Sequence, residues 1–576
     1  MEYTSKEVYE FVSKQTNDPI VERRICRVSW QEFPIYTSDD VFYDKVSPVI
    51  WGVKHSIPRP TLCPEERQRR RLMFRNERKL YKRKCDATGE SIVSIYSPEK
   101  PYTVYNQKFR WSDARDPMSY GKDFDTTKPF TEQFDALLKE VPKQNLANNN
   151  CDNADYGNNN TDVKNCYMCF STGYSEDCYH LNVAARSKNT VDGYRALHTQ
   201  DSYEVVDSDN IYSSQYITLC NAISYSSYLY NCEQCEYCYM CVWQRNKKYM
   251  VLNVQYEEET YEDAIAKTTM RQYKELLAIV PTYNGIKRSE RCLWHNIKDS
   301  KNCILSINVN ECEDCKYCYS VGLKAVDCYD CGGNIFQLQK AYECGVVYLG
   351  HTVLFSYNCQ NCSDVYYSYD CYNSSYLFGC VWLHNKQYCI FNMQYDKETR
   401  ESEVANIIAS MKKSGERGEF FNTSCTLFWY NETIANDYFP LTRDEALARW
   451  YEWQEKTYDP VIPEWAEALY PGYFSDADWS HMLSDDWILK RIIVCAWSGR
   501  PFRIIPQELE FYRNHKVDVP RFHPDARHQV RLSMLAWNSF YLRDCDKTWE
   551  PILSSFSPSY AGRVYSEDAY TQEIYK

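Results

Sequence analysis

The sequence predicts a mainly β protein built around a duplicated, β-solenoid-like core rich in cysteine and tyrosine. Twenty-two of the 28 cysteines and 31 of the 52 tyrosines lie between residues 151 and 395. Cysteines recur there at nine-residue spacing, for example at positions 362, 371, 380 and 389. Tyr, Val and Ile favour strands, whereas the intervening Asn, Asp and Ser favour turns. Short strands at regular spacing are typical of stacked coils, and an antiparallel sandwich is the alternative.

Residues 1–149 are predicted to form an N-terminal pair of zinc-ribbon-like modules. A zinc ribbon holds its ion between two C-x-x-C knuckles, and CRVSWQEFPI (26–35) and CDATGESIV (85–93) each begin like one. Ser29, Glu66 and Thr88 stand where further ligands would be needed. We therefore expect ribbon-shaped modules that have lost their metal, with former ligands at Cys26, Cys63 and Cys85.

The segment RQRRRLMFRNERKLYKRK (67–84) is predicted to be a basic helix, with ten Lys or Arg and one acidic residue. Guanidinium groups match phosphate oxygens, so contact with a nucleic acid or a ribosome is one interpretation. Pairing with acidic parts of this chain or of a neighbouring subunit is the other. The candidate phosphate-binding residues are Arg67, Arg69, Arg70, Arg71, Arg75, Arg78, Lys79, Lys82, Arg83 and Lys84.

The middle of the chain is predicted to contain two lobes, residues 150–291 and 292–420. CVWQRNKKYMVLNVQYEEET (241–260) matches CVWLHNKQYCIFNMQYDKET (380–399), and each lobe is followed by a stretch with apolar residues near helical spacing (260–280 and 399–413). Repeats of this kind stack into one continuous core.

Clustered cysteines within the lobes are candidate metal ligands, because a short turn brings two thiolates to one ion. They are Cys232, Cys235, Cys238, Cys241, Cys312, Cys315 and Cys318. However, Cys235 corresponds to Ser374 and Cys238 to Leu377 in the second lobe. This replacement favours small buried side chains over metal ligands. Disulfide bonds between these cysteines are the third interpretation. We expect no cofactor, and zinc is the one metal that remains a candidate.

The rest of the chain is predicted to form a linker and a second pair of ribbon-like modules. Residues 421–494 are aromatic-rich, and Thr442 with Glu445 forms a capping box before a predicted helix, DEALARWYEWQEK (444–456). Residues 495–576 repeat the N-terminal pattern, with former ligands at Cys495, His523 and Cys545.

Three segments carry a resemblance to a known family. They are PRPTLCPEERQRRRLMFRNERKLYKRKCDATGESIVSIYSPEKPYTVY (58–105), SGRPFRIIPQELEFYR (498–513) and CVWLHNKQYCIFNMQY (380–395). They resemble an uncharacterised family of zinc-ribbon-flanked, Cys/Tyr-rich repeat proteins from candidate-phyla-radiation (Parcubacteria-type) bacteria. Family members typically retain more of the paired knuckle cysteines. The resemblance implies an architecture and no particular activity.

Composition and motifs reduce the number of function classes that fit this sequence. The net charge is −13, and no run of 18 apolar residues or signal-peptide pattern is present, so we expect a cytoplasmic protein without a membrane span. No nucleotide-binding, zinc-protease or serine-hydrolase motif is found. The leading hypothesis is a non-catalytic structural or protein-interaction scaffold that presents a Tyr/Asn-rich surface to a protein partner or to its own copies. The alternatives are an RNA- or ribosome-associated protein using residues 67–84, and a metal-dependent enzyme with a cysteine site.

Overall fold

The fold is mainly β and contains a β-solenoid of about 17 turns. The computed structural model describes residues 3–112, 115–322, 329–330, 332, 339–343, 345, 351–456, 461–464, 466–484, 486–535 and 539–574. Its solenoid strands pair in parallel, with partners typically twelve positions apart, as in Tyr203 with Gln215 and Glu233 with Arg245. The predicted solenoid is therefore confirmed, and the antiparallel sandwich is wrong.

Two runs of strands make up the solenoid. The first solenoid segment comprises Thr161–Lys164, Phe170–Glu176, Tyr179–Ala185, Lys188–Tyr212, Gln215–Thr218, Asn221–Ser224, Ser227–Tyr230, Glu233–Tyr239, Arg245–Val251 and Val254–Gln255. The second comprises Leu293–Lys298, Ile304–Asn310, Tyr319–Gly322, Gln339–Tyr342, His351–Leu354, Ser363–Tyr366, Ser375–Phe378, Gln387–Ile390 and Met393–Gln394. Helices follow each segment as predicted, at Glu258–Ile265 and Met270–Ile279, then at Lys397–Ser414.

The coils are built from three-residue units. From Asn159 to Tyr249, every third residue has a positive φ, the left-handed conformation that L-residues rarely adopt. The residue after each left-handed residue points into the solenoid, as Val205, Ile217 and Leu229 do, all of them fully buried. Four such units make one coil of twelve residues. Each coil therefore has four sides and four corners, with a left-handed residue at each corner.

Inward Cys and Ser side chains make the same hydrogen bonds. Each donates to the carbonyl two residues earlier, as Cys220 does to Thr218 (3.2 Å) and Ser226 to Ser224 (2.8 Å). Several also accept the backbone N–H one coil later, as Cys220 Sγ does from Cys232 (3.2 Å). The described cysteines are free thiols. An inward Cys or Ser therefore satisfies backbone groups that an aliphatic side chain would leave unpaired.

The last coil of each solenoid segment is closed in the same way. The final strands turn back antiparallel, pairing Val251 with Val254 and Ile390 with Met393. Asn253 Oδ1 accepts the N–H of Val242 at 2.8 Å. Asn392 Oδ1 accepts that of Val381 at the same distance. The last coil of each solenoid segment thus covers backbone N–H and C=O groups that could otherwise pair with a further coil.

The flanking regions carry short hairpins and helices. N-terminal strands are Ile20–Ile25, Glu32–Tyr36, Val49–Ile50, Val53–Lys54, Tyr81–Lys84, Ser91–Ser94, Val104–Tyr105 and Lys143–Gln144, and the helices are Lys6–Thr16, Thr37–Val46, Pro64–Leu72, Gln107–Arg110 and Phe130–Glu140. C-terminal strands are Ile492–Val494, Pro501–Phe502, Tyr541–Asp544 and Pro551–Ser554, and the helices are Pro506–His515, Pro524–Ser533 and Glu567–Ile574. No helix in the described part of the chain combines the length and apolarity needed to cross a bilayer.

The described residues between 421 and 491 are mostly irregular. Their helices are Ile434–Tyr438, Arg443–Ala448 and Asp476–Ser480, their strand is Ala468–Leu469, and 3₁₀ turns lie at Thr423–Cys425, Tyr430–Glu432, Pro471–Tyr473, His481–Ser484 and Asp486–Lys490. A further 3₁₀ turn, Pro117–Tyr120, belongs to the N-terminal region. The capping box is present, with Thr442 and Glu445 hydrogen-bonded reciprocally. The helix after it is shorter than predicted, because Trp450 takes a left-handed conformation that ends it.

The predicted basic helix over residues 67–84 is wrong. The helix ends at Leu72, and Tyr81–Lys84 is a strand paired with Ser91–Ser94. Between them the Asn76 side chain accepts the N–H of Lys79 (3.0 Å) and donates to its carbonyl (2.9 Å). A short polar side chain that binds nearby backbone groups competes with helix formation in this way.

Substituting Cys220 tests the inward hydrogen bonds. Cys220→Ser retains a donor and an acceptor, whereas Cys220→Val leaves the N–H of Cys232 unpaired. We expect the valine variant to lose about 1–3 kcal/mol of unfolding free energy and the serine variant clearly less. Urea denaturation followed by circular dichroism measures both. Equal losses would show that cysteine acts only by its volume.

Candidate interaction surface and buried charge clusters

Four of the ten basic residues of the 67–84 segment are buried near carboxylates. Arg67, Arg69, Arg70 and Arg71 are at most 4% exposed. Arg69 pairs with Glu66 at 2.5 Å. These guanidinium groups are therefore not presented to phosphate groups in solution.

The later residues of this segment differ in exposure. Arg75 pairs with Glu77, Arg78 with Asp525 at 3.0 Å, and Arg83 with Asp86 at 3.3 Å. Lys79, Lys82 and Lys84 are exposed. Binding of a nucleic acid by this segment stays a prediction. Lys79, Lys82 and Lys84 are the basic residues of the segment that are exposed to such a ligand.

The N-terminal charge cluster joins the helix Pro64–Leu72 to the second solenoid segment. Arg67 donates to Asp330, and Arg70 contacts both carboxylate oxygens of Glu343 at 2.6 and 2.7 Å. Arg71 lies 3.8 Å from each carboxylate. Both acids occupy left-handed corner positions of consecutive coils. Burial raises the pKa of Asp330 to about 6, although Arg67 and Arg71 lower it.

The C-terminal charge cluster joins the helix Pro524–Ser533 to the first solenoid segment. Arg527 donates to Asp192. Arg531 lies 3.1 Å from Asp192 and 3.0 Å from Glu204. These acids too are left-handed corner residues one coil apart. The cluster thus repeats the chemistry and geometry of the N-terminal one.

Sequence positions match across the two clusters. Arg527 and Arg531 stand 460 positions after Arg67 and Arg71. Tyr342 stands 139 positions after Tyr203. Aromatic contacts follow the same correspondence: Tyr43 packs on Tyr342 with ring centroids 5.2 Å apart, and Tyr512 packs on Tyr203 at 6.0 Å. The helix Pro64–Leu72 is therefore docked on the second solenoid segment and the helix Pro524–Ser533 on the first.

Four of the six predicted ribbon-ligand positions lie in turns of matching geometry. The N–H groups of Cys26, Cys85, Cys495 and Cys545 each donate to a carbonyl five residues later at 2.8–2.9 Å. The residue four positions after each cysteine has a positive φ of 60–76°. All four turns therefore share one backbone shape.

Polar groups lie close to the six predicted ligand positions. Ser29 Oγ lies 3.6 Å from Cys63 Sγ, and His523 Nδ1 accepts the N–H of Asp525 at the start of a helix. Asn106 N–H donates to Cys85 Sγ at 3.1 Å, and Ser566 N–H to Cys545 Sγ at 3.2 Å. The hydrogen bond from the Cys63 thiol lowers the pKa of Cys26 to about 5.

The clustered cysteines of the solenoid point into its interior. Cys232, Cys235, Cys238 and Cys241 occupy the four sides of one coil and donate to carbonyls two residues earlier at 3.3–3.6 Å. Cys312, Cys315 and Cys318 do the same at 3.3–3.4 Å. Ser374, which corresponds to Cys235, makes the same bond at 2.8 Å. Within the described residues, no group of three or more His, Cys, Asp or Glu is arranged to hold a metal ion.

One corner of the first solenoid segment carries an exposed tyrosine column. Tyr225, Tyr237 and Tyr249 stack in consecutive coils with ring centroids 5.0 and 5.3 Å apart. Tyr212 packs edge-on against Tyr225, and these two rings are 39% and 44% exposed. We call Tyr212, Tyr225, Tyr237 and Tyr249 the first tyrosine column.

The same corner carries an amide ladder in earlier coils. Asn153 donates to Asn165 at 3.1 Å, Asn165 to Asp177 at 3.0 Å, and Asn189 to Asp201 at 2.7 Å. Side chains in this ladder bind one another across coils, which keeps the polar part of the corner as ordered as the aromatic part.

The second solenoid segment carries a shorter column. Tyr376 and Tyr388 stack at 4.9 Å and 4°, and Tyr376 is 37% exposed. They stand 139 positions after Tyr237 and Tyr249. Sequence analysis predicted a Tyr/Asn-rich surface without locating it. The twelve-residue spacing of these tyrosines was the signal that could have done so.

No protein-family model matches the chain. Neither the curated proteins nor the solved structures include a significant match. Fold and site together define a β-solenoid protein whose two ends are held on it by buried ion pairs.

Asp192→Asn tests the C-terminal charge cluster. It removes a charge that two buried arginines share, so we expect a loss of about 3–5 kcal/mol and earlier hydrogen exchange in the helix Pro524–Ser533. Asp330→Asn should act in the same way on the helix Pro64–Leu72. Asp201→Asn, at a partly exposed corner where the carboxylate accepts only amide N–H groups from Asn189 and Gln200, is the matched control and should lose clearly less stability. Indistinguishable exchange in the Asp192 and Asp201 variants would contradict the clamping role.

Proposed function

We propose that the protein is a non-catalytic scaffold that binds a protein partner through its exposed tyrosine columns. The supporting observation is that tyrosines stack in register on solvent-exposed corners of both solenoid segments, at matching positions. Tyrosine offers a large rigid contact area with a polar tip, and it is enriched at interfaces.

Stacking prepares these columns for binding. Each ring in the middle of a column is held by a ring above and a ring below, so little side-chain freedom remains to be lost on association. The neighbouring pair Glu236 and Lys248, 3.4 Å apart, adds a charged rim beside the first column. An ordered aromatic centre with a polar edge is the usual anatomy of a protein interface.

The flanking regions support a scaffold in a second way. Their buried arginines bind solenoid carboxylates, so these charges fix the ends of the chain in place. We infer that the two solenoid segments are tandem copies, and that the flanks are zinc-ribbon-shaped modules in which packing and hydrogen bonds replace the ion. The four matching turns support the second inference, and the offset of 139 positions that relates Tyr203 to Tyr342 and Tyr237 to Tyr376 supports the first.

Metal content tests the ribbon inference. We expect less than about one zinc or iron per chain by inductively coupled plasma mass spectrometry of protein purified without chelator, since structural zinc requires four ligands. Bound zinc that is lost in Cys26→Ser with Cys63→Ser would instead identify an occupied ribbon. Zinc lost in Cys235→Ser would place it in the solenoid.

Substitution of the first tyrosine column tests the scaffold function. The double substitution Tyr225→Ser and Tyr237→Ser should reduce the amount of native partner recovered by at least about tenfold. Aromatic residues at the centre of an interface each contribute roughly 2 kcal/mol or more to the binding free energy. Asn189→Ala with Asp201→Ala alters the amide ladder of the same corner and is the control. Quantitative mass spectrometry of material copurified from the native cell compares the three proteins. A partner recovered equally with all three would reject this surface.

A further inference from the structure

A short hairpin in the N-terminal region exposes apolar side chains on both of its faces. Its strands are Val49–Ile50 and Val53–Lys54. Ile50 pairs with Val53 across the hairpin, and since neighbouring residues of a strand point to opposite faces, Val49 and Val53 lie on different faces. Val49, Trp51 and Val53 are 65%, 61% and 59% exposed. We call residues 49–54 the Trp51 hairpin.

The turn of this hairpin carries a tryptophan where a small polar residue is usual. Trp51 and Gly52 have φ values of 53° and 72°, the left-handed pair that a two-residue hairpin turn requires. Asn-Gly is a preferred sequence for such a turn, and a residue as bulky as Trp is strained there. The geometry of the turn therefore does not explain Trp51, and its exposed ring indicates a contact outside the chain.

The base of the hairpin is fixed to the protein core. Ile50 is 4% exposed and belongs to the same apolar cluster as Met411 of the helix Lys397–Ser414. The N–H of His55 donates to the carbonyl of Pro48 at 2.8 Å and closes the hairpin. A hairpin held in this way presents its tip with little conformational freedom left to lose on binding.

Exposed lysines lie around the base of the hairpin. Lys54 is its last residue, and Lys412 and Lys413 lie in the last turn of the helix that carries Met411. The chain that follows this helix contacts the hairpin, because Arg417 donates to the carbonyl of His55. Burial lowers the pKa of His55, and the charges of Arg417 and Lys412 lower it further.

Two acidic residues lie near these lysines, and each has a partner. Asp44 pairs with Lys54 at 2.6 Å. Glu416 accepts the N–H groups of Phe130 and Thr131 at 2.9 and 2.8 Å. Although the whole chain has a net charge of −13, this surface is locally basic around an apolar tip.

We propose that the Trp51 hairpin binds the surface of an anionic phospholipid bilayer. Its apolar tip enters the interface, where tryptophan is enriched, and the lysines at its base contact the negatively charged headgroups. A flat protein surface covers one face of a hairpin, whereas lipid surrounds both faces. Binding of this kind needs no helix that crosses the membrane. The proposal goes beyond the scaffold function and does not depend on it, because the tyrosine columns lie on the solenoid segments.

Cosedimentation of the full chain with large unilamellar vesicles tests the proposal. We expect binding to vesicles of mixed phosphatidylcholine and phosphatidylserine, and binding about tenfold or more weaker to pure phosphatidylcholine, because lysines near an anionic surface each add attraction. Added salt should weaken the first interaction by screening these charges.

Trp51→Asn tests the tip of the hairpin. Asparagine suits the left-handed turn, so the hairpin is retained, while vesicle binding should weaken about tenfold or more because the apolar ring is lost. Trp549→Asn is the matched control, since Trp549 is 77% exposed with a φ of 62° but has Asp546 and Glu550 as neighbours. This control should bind vesicles like the wild type.

The double substitution Lys412→Gln and Lys413→Gln tests the charges at the base. It should weaken binding to phosphatidylserine vesicles about tenfold or more, because two cations are removed from the surface that faces the lipid. Circular dichroism checks that the helix is intact.

Failure of the wild-type chain to bind phosphatidylserine vesicles at low salt would overturn the proposal. Equal losses in Trp51→Asn and Trp549→Asn would overturn it as well, and so would equal binding to vesicles with and without phosphatidylserine. A dimer that sedimentation velocity detects in the wild type and not in Trp51→Asn, without vesicle binding, would assign the hairpin to a second copy of the chain instead. The wild-type measurement decides the question even if a variant does not fold. Partner recovery through the tyrosine columns is a separate measurement, so the two proposals fail independently.

Discussion

The left-handed conformation of every third residue is the constraint on which the structure depends. An L-residue in this conformation is disfavoured by about 1–2 kcal/mol, and here it recurs without interruption over the first solenoid segment. Asn and Asp tolerate it best, which explains their abundance at the corners. Even Val183 and Trp243 adopt it. Their strain persists because each coil is held by parallel hydrogen bonds to its neighbours and by a filled interior.

This constraint also decides what the interior contains. Three-residue units bring four inward side chains to each coil, so only small or slender residues fit together. Cys and Ser serve equally because both donate to a carbonyl two residues earlier, as at Cys235 and Ser374. The high cysteine content therefore has a backbone explanation: a thiol is a small apolar group that can still form a weak hydrogen bond.

The corner residues of successive coils are also ordered relative to one another. A left-handed residue projects from the solenoid and aligns with its equivalent in the next coil, so corner residues form columns. One column offers Asp192 and Glu204 to Arg527 and Arg531, and another offers Asp330 and Glu343 to Arg67 and Arg70. A buried carboxylate is costly without such partners, so these acids specify where each end of the chain docks. Exposed columns carry tyrosine and amides instead.

Much of the architecture follows from the sequence alone. Nine-residue cysteine spacing is three of the three-residue units, and the Tyr/Asn/Ser composition excluded a helical middle. The Cys-to-Ser replacement between the two lobes favoured packing roles for these side chains, and Cys235 and Ser374 both lie buried in the solenoid interior. What failed was local: the ten cations at 67–84 suggested one long helix, with either phosphate contact or pairing to acidic parts of the protein. The helix ends at Leu72, and the carboxylates that pair with Arg67 and Arg70 lie more than 260 positions away.

The sequence by itself therefore determined the solenoid and the inward position of its clustered cysteines, because these depend on contacts within a few units of chain. Only the tertiary structure decided which charges are buried and which tyrosines are exposed. Those features depend on long-range docking, in which the helix Pro64–Leu72 packs on the second solenoid segment and the helix Pro524–Ser533 on the first. A local sequence pattern does not predict this docking, because the energy of a buried ion pair depends on a partner that sequence spacing does not reveal.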